Sequence, residues 1–177
     1  EMPLVRYATG GYICTSPFPY DGIFRRAVLN FKFHNCGAYA ELLSHEMVRS
    51  IKDVYRDREF DLVTCVPMHK DTLRERGYNQ AELLAKECAR LLGIDYADLL
   101  VKTKKNKTQH SIKAAERAKN VIGVYSPIDK NLIKGKRILI IDDIITTGST
   151  LGECARILNK CKCGEICCCT LCTSLLI

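Results

Sequence analysis

Two adjacent carboxylates, Asp142 and Asp143, follow the apolar run Ile138, Leu139, Ile140, Ile141 and precede Thr146, Thr147, Gly148, Ser149 and Thr150. An unbroken apolar run of this kind reads as a strand covered on both faces. In an open α/β sheet the C-terminal end of such a strand faces the ligand crevice, so both acids are delivered there. Gly148 permits φ > 0 and close approach of a backbone. Helical spacing resumes at Ser149, and a helix start offers free amides and a dipole that favour an anion. One short segment thus supplies a phosphate cradle beside two acceptors for sugar hydroxyls, the combination a sugar phosphate needs. The alternatives, an acid pair for a metal or a plain helix cap, leave residues 138–150 unexplained as a whole. Neither the Gly-x-x-x-x-Gly-Lys of a P-loop nor the Gly-x-Gly-x-x-Gly of a dinucleotide turn is present.

The elements that must position this segment are written in the hydrophobic spacing. Tyr20, Ile23, Phe24, Ala27, Val28 and Phe31 share one helical face, and Ala40, Leu43, Met47, Ile51 and Val54 form a second stripe after Gly37. Residues 61–66 read as a buried strand ending at Pro67. Asn79 is an N-cap for a third helix, with Glu82 in capping-box position and Gly93 as its stop. The apolar stripe of that helix is Ala81, Leu84, Ala85, Cys88, Leu91 and Leu92. A short strand is expected at about 99–102, strands at 137–141 and 165–171, and a helix over 149–160 striped by Leu151, Cys154, Ala155 and Leu158. Alternating strands and helices predict an α/β fold with a mainly parallel open sheet and helices on both faces.

Composition sets the frame. The 177 residues are 47% apolar and 27% charged, with a net charge of +7. That describes one globular domain and excludes disordered, collagen-like and low-complexity classes. No apolar run approaches the roughly 20 residues of a membrane span. Glu1-Met2-Pro3 lacks the basic start and apolar core of a secretory signal. Together with eleven cysteines, an odd number, this predicts a reduced, cytoplasmic protein with no membrane partner. Seven of the cysteines fall between Cys154 and Cys172. On a strand, Cys167, Cys168 and Cys169 must alternate between faces, so they read as core rather than as convergent metal ligands; the Cys169-x-x-Cys172 spacing is the competing zinc reading.

The positive charge is concentrated. Residues 102–120 carry Lys102, Lys104, Lys105, Lys107, Lys113, Arg117 and Lys119 against a single acid, Glu116. This is either a solvated loop or a segment that meets a phosphorylated ligand or nucleic acid. Aromatic residues are missing from it, which disfavours a stacking platform for single strands, and direct DNA binding is not the expected role.

The 138–150 segment resembles the phosphoribosyl pyrophosphate (PRPP) motif of the type I phosphoribosyltransferases. Further stretches are similar to the ComF branch of that superfamily, which includes competence and GntX-like proteins. They are Val66-Pro67-Met68-His69, residues 74–85 beginning Arg74-Glu75-Arg76-Gly77-Tyr78-Asn79-Gln80, Thr108-Gln109-His110 with Arg117 and Asn120, Phe18-Pro19-Tyr20-Asp21-Gly22, and Lys32-Phe33. The resemblance covers about residues 12–175. It implies a single phosphoribosyltransferase-like domain, with residues 1–58 as a small N-terminal hood and 59–177 as core.

The resemblance also implies roles. Asp142 and Asp143 would hold the ribose hydroxyls, and the loop from Thr146 through Thr147, Gly148 and Ser149 to Thr150 the 5′-phosphate. Pro67, Met68, His69 and Lys70 would form the pyrophosphate loop. Lys104, Lys105, Lys107 and Gln109 would belong to a basic loop that closes over PRPP. Arg74 and Arg76 are further candidates, as are Tyr78, Asn79 and Gln80, although Asn79 serves equally well as a cap. Mg²⁺ would arrive with PRPP rather than in a protein cage. The implied activity is transfer of phosphoribose to an unknown acceptor with release of pyrophosphate. The alternative is a non-catalytic accessory protein of DNA uptake, with a competence helicase as partner. Relatives often begin with a four-cysteine zinc module; Cys14 and Cys36 lack its spacing, so no such module is expected here.

Overall fold

The structure is a computed structural model and describes residues 2–33, 37–104 and 121–174. Its centre is a pair of nine-residue parallel strands, β8 (Arg137–Ile145) and β9 (Glu165–Thr173). Alternation along them divides the core in two. Leu139, Ile141, Cys167 and Cys169 face one side with Met47, Ile51, Leu84 and Cys88. Ile138, Ile140 and Cys168 face the other with Leu151, Cys154 and Leu158. Each fully buried aliphatic side chain contributes about 1.5–3 kcal/mol relative to exposure, so the unbroken apolar run explains why β8 lies inside the sheet.

Outward from this pair lie β4 (Leu62–Cys65) and β5 (Asp95–Tyr96) on the β8 side, all parallel. On the β9 side lie β2 (Tyr12–Ser16), parallel to β9, and β1 (Leu4–Ala8), antiparallel to β2. The two-residue β3 (Phe18–Pro19) pairs with the far end of β9. The strand order is β1-β2-β9-β8-β4-β5. A separate antiparallel pair, β6 (Leu100–Lys102) with β7 (Tyr125–Pro127), packs through Leu100 and Tyr125 onto the second core.

The helices are α1 (Gly22–Phe33), α2 (Gly37–Val54), α3 (Lys70–Arg76), α4 (Gln80–Leu92), α5 (Lys130–Ile133) and α6 (Ser149–Lys160). The α2 and α4 stripes bury Met47, Ile51, Leu84, Ala85 and Cys88 as their spacing predicts. In α1, Val28 and Phe31 are buried and Phe24 packs against the same core, but Ile23 is 65% exposed. The cap of α4 forms as expected: Asn79 Oδ1 accepts from Ala81 N at 3.1 Å, and Gly93 closes the helix at φ 68°. Glu82 does not serve as the capping-box partner; its carboxylate instead meets Lys86 Nζ at 2.5 Å.

The N-terminal third, expected as a hood, is built into the main sheet. It adds three strands, β1, β2 and β3, to the main sheet, and Tyr55, just after α2, donates its hydroxyl to Cys168 O at 2.7 Å. Periodicity alone does not reveal β2, because its buried residues include Thr15 and Ser16. These are satisfied by hydroxyl partners, Ser50 Oγ at 2.6 Å and Thr170 Oγ1 at 2.7 Å, that only the tertiary fold supplies. The strands at 137–141 and 165–171 each continue further than the apolar pattern suggests, to Ile145 and Thr173.

Candidate functional site

The extension of β8 changes the placement of the two acids. Asp142 and Asp143 lie inside the strand, not in a loop beyond it. β4 pairs with β8 only as far as Ile141, where Val66 N makes a last bond to Ile141 O at 3.0 Å. β9 continues alongside β8 to Ile145. From Asp142 onward β8 has therefore lost one neighbour while keeping the other. The acids stand at the step this leaves, with Asp143 N donating to Asp142 Oδ1 at 2.9 Å. The ligand crevice of an open sheet arises in this way, where neighbouring strands part.

The chain leaving β4 forms the opposite wall. Pro67, Met68 and His69 cross to α3, where His69 is the N-cap and its Nδ1 accepts from Asp71 N at 3.3 Å. The same Nδ1 lies 3.6 Å from Asp71 Oδ2, so Asp71 meets this edge of the ring with both its backbone N–H and its carboxylate. Asn79 ties the start of α4 to the end of β4: besides capping, its Nδ2 donates to Val66 O at 3.1 Å. These elements and the acids line one cavity of about 250 Å³. Its lining includes Pro67, Met68, His69, Thr72 and Arg76 from the chain after β4, Asp142 and Asp143 from β8, Thr150 from α6, and Asn79 and Gln80 from the start of α4.

Lys102 and Tyr125, from the small sheet, complete the lining. Lys102 Nζ sits 5.6 Å from the centre of the Tyr125 ring. Burial holds the Lys102 ammonium below the ordinary lysine range, and the negative charge of Asp142 pulls in the other direction. Burial likewise pushes the Tyr125 phenol up, so it stays protonated. Thr72, Tyr125 and the inward position of Lys102 are not legible in the sequence. The only signal is that Lys102 opens the basic run.

Other candidates fall elsewhere. Lys70 is the exposed first residue of α3, and Arg74 is exposed on the same helix; neither lines the cavity. Lys104 is described and exposed, whereas Lys105, Lys107 and Gln109, with Thr108, His110, Arg117 and Asn120, lie outside the described residues. Thr146 is exposed, Thr147 is half-buried, and Gly148 and Ser149 are buried. Of the 146–150 loop only Thr150 lines this cavity. Thr147 Oγ1 and Ser149 Oγ lie 2.9 Å apart, and Gly148 takes the left-handed conformation at φ 75° as the N-cap of α6.

A larger cavity of about 550 Å³ lies at the other end of β8, lined by Tyr55, Phe60, Ile94 and Arg137 among others, and holds none of the candidate residues. Cys167, Cys168 and Cys169 are all buried and alternate between the two cores. Among the described residues no three His, Cys, Asp or Glu side chains gather as a metal site, and no helix is long and apolar enough to cross a membrane.

Residues 79–175 match the phosphoribosyl transferase domain family, a stretch that begins at the α4 cap and includes both acids and the loop into α6. This chain belongs to the phosphoribosyl transferase domain family. Within that family it falls in the ComF branch. It is 33% identical over 144 residues to competence protein F of Haemophilus influenzae, covering 78% of this chain and 63% of that protein. It is 31% identical over 152 residues to competence protein ComFC of Bacillus subtilis, covering 85% of this chain and 60% of that one. The chain thus spans under two thirds of the length of these curated relatives. The type I phosphoribosyltransferase fold is shared with the glutamine PRPP amidotransferase of B. subtilis in complex with ADP and GMP. That likeness has a TM-score of 0.50 at 20% identity and covers 75% of this chain and 26% of the other.

Proposed function

We propose that this phosphoribosyltransferase-family domain binds PRPP in the cavity at the C-terminal ends of β4 and β8 and transfers its phosphoribosyl group to an acceptor, releasing pyrophosphate. The observation that carries the reading is the meeting of Asp142 and Asp143 with residues 67–69 across one small cavity. Carboxylates accept hydrogen bonds from the paired ribose hydroxyls, which fixes the ring. The helix start at Ser149 favours the 5′-phosphate. His69, Arg76 and Lys102 favour the diphosphate.

In the reaction the bond from C1 to the diphosphate oxygen breaks, its electron pair leaves with pyrophosphate, and an acceptor lone pair forms the new bond to C1. Positive charge develops on the ribose, and the carboxylates of Asp142 and Asp143 stabilise it. The donor set suits Mg²⁺: two carboxylates beside a diphosphate site match an ion that prefers phosphate and water oxygens. When bound, the ion supplies neutralisation of diphosphate charge. The acceptor is unassigned.

A second reading is favoured by the relatives, which are named for competence. In it the same PRPP site acts as a sensor or docking switch in DNA uptake, with a competence helicase as partner, and no transfer occurs. Calorimetric titration with PRPP and Mg²⁺ tests the claim both readings share; absence of heat and of thermal stabilisation would sink both. Pyrophosphate release in the presence of bases and amines separates them, since only the first reading expects turnover.

A further inference from the structure

Gln80 is only 2% exposed, and its Nε2 is the buried side-chain polar atom left with no hydrogen-bond partner among the described residues. Buried amide donors are nearly always paired, so an orphan in a cavity wall points to a missing acceptor. The orientation of the amide is set by its neighbour. Arg76 Nη1 donates to Gln80 Oε1 at 3.1 Å. Turning the amide over would set two donors against each other, so Nε2 must be the free end.

The surroundings say what kind of acceptor belongs there. Arg76 has no carboxylate partner among the described residues, and its charge polarises the Gln80 amide into a stronger donor. Asn79, next to Gln80, is fully used in capping α4 and holding Val66 O. Arg76 and Gln80 line the same cavity as His69 and the two acids, and Arg76 sits on α3, the helix that His69 caps. A neutral donor backed by a cation suits an anionic oxygen, and placement against residues 67–69 suits the diphosphate rather than the 5′-phosphate.

We infer that Gln80, held by Arg76, is a recognition residue for the diphosphate of the ligand, donating Nε2–H to one of its oxygens. This rests on the PRPP reading above and adds a residue and a selectivity to it. A ligand with a diphosphate gains this bond, and the same sugar without one does not.

The test is calorimetry on the purified chain with PRPP, pyrophosphate and ribose 5-phosphate, each with Mg²⁺, for wild type, Gln80→Glu and Gln80→Met. Gln80→Glu keeps the Arg76 contact as an ion pair but sets a carboxylate against the diphosphate. Gln80→Met removes the donor without adding charge, and it carries the test should Gln80→Glu fold poorly. Both variants are expected to lose at least about tenfold in affinity for PRPP and pyrophosphate, with ribose 5-phosphate changed by less than about twofold. Neither is expected to unfold at a lower temperature than wild type. Equal losses for all three ligands, or no loss for any, would overturn the assignment. So would retained pyrophosphate affinity with a change in the acceptor consumed, which would put Gln80 at the acceptor instead. A wild type that binds neither PRPP nor ribose 5-phosphate would be a different failure, that of the site reading itself.

Discussion

Gly152 and Thr9 are packed backbone to backbone: a Cβ on Gly152 would lie 2.3 Å from the Thr9 carbonyl oxygen. One turn earlier, a Cβ on Gly148 would lie 2.7 Å from Ala8 Cα, and Gly148 O already accepts from Thr9 N at 3.2 Å. The turn between β1 and β2 therefore clamps the start of α6, where the 5′-phosphate is expected, and the clamp requires glycine at both positions. Gly152→Ala is expected to destabilise the protein by about 1–3 kcal/mol, since the obstructing atoms are backbone and cannot rotate away. It should also weaken ribose 5-phosphate binding, because the clamp must open. Thermal unfolding and calorimetry check the two effects; an unchanged melting temperature would show that the contact yields freely.

Asp142→Asn separates charge from shape. Asn keeps the size and one acceptor oxygen, so Asp143 N keeps its acceptor. Loss of a charged acceptor for ribose hydroxyls should cost at least about tenfold in PRPP affinity. Undiminished affinity would move the sugar away from this acid.

Lys102→Met sets stability against binding. Burial depresses the ammonium of Lys102 in the folded protein. For a base with a lowered folded pKa, the unfolded chain holds more protons between the two values, so stability rises with pH there. Below both values the penalty is constant and in force. Met at this position should raise the melting temperature at neutral pH and flatten its rise on the alkaline side, while PRPP affinity falls. A drop in both would show that Lys102 packs as a structural residue.

Asn79→Ala removes the α4 cap and the tie to Val66 O together. Loss of an N-cap costs about 1–2 kcal/mol, and the carbonyl left behind adds to it. The 67–69 wall loses its anchor, so pyrophosphate affinity should fall more than ribose 5-phosphate affinity. Denaturant unfolding and the two titrations measure this; equal losses would mean that the tie does not organise the wall.

Glu153 gives an acid-side prediction. It pairs with Arg156 at 2.6 and 2.7 Å and accepts from Gly123 N at 3.0 Å. The Arg156 hydrogen bonds are the main reason its carboxyl lies below the usual range. A depressed folded pKa contributes stability that is present above the unfolded carboxylate value, about 4.3, and lost as pH falls through the folded one. Glu153→Gln should be less stable than wild type at pH 7, with the gap narrowing below about pH 4. A constant gap would remove ionisation as the cause.

What the sequence determined by itself is what short-range physics can encode. The apolar run 138–141 and the twin acids after it needed only their neighbours to be read. So did the Asn79 cap, the Gly93 stop, and the alternation that sends Cys168 away from Cys167 and Cys169. Each is a matter of period, propensity or local hydrogen bonding within a few residues. The tertiary structure decided the rest. Where β4 parts from β8, and hence that Asp142 and Asp143 face a step rather than a neighbouring strand, depends on the lengths of two strands more than 70 residues apart in sequence. Lys102 enters the cavity because β6 and β7 pack on the second core, and nothing near Lys102 in sequence says so. Thr15 and Ser16 could be buried only because Ser50 and Thr170 meet them from other elements. The orphaned Nε2 of Gln80 is of the same kind: whether a donor has a partner is a property of the whole fold, and no local pattern records it.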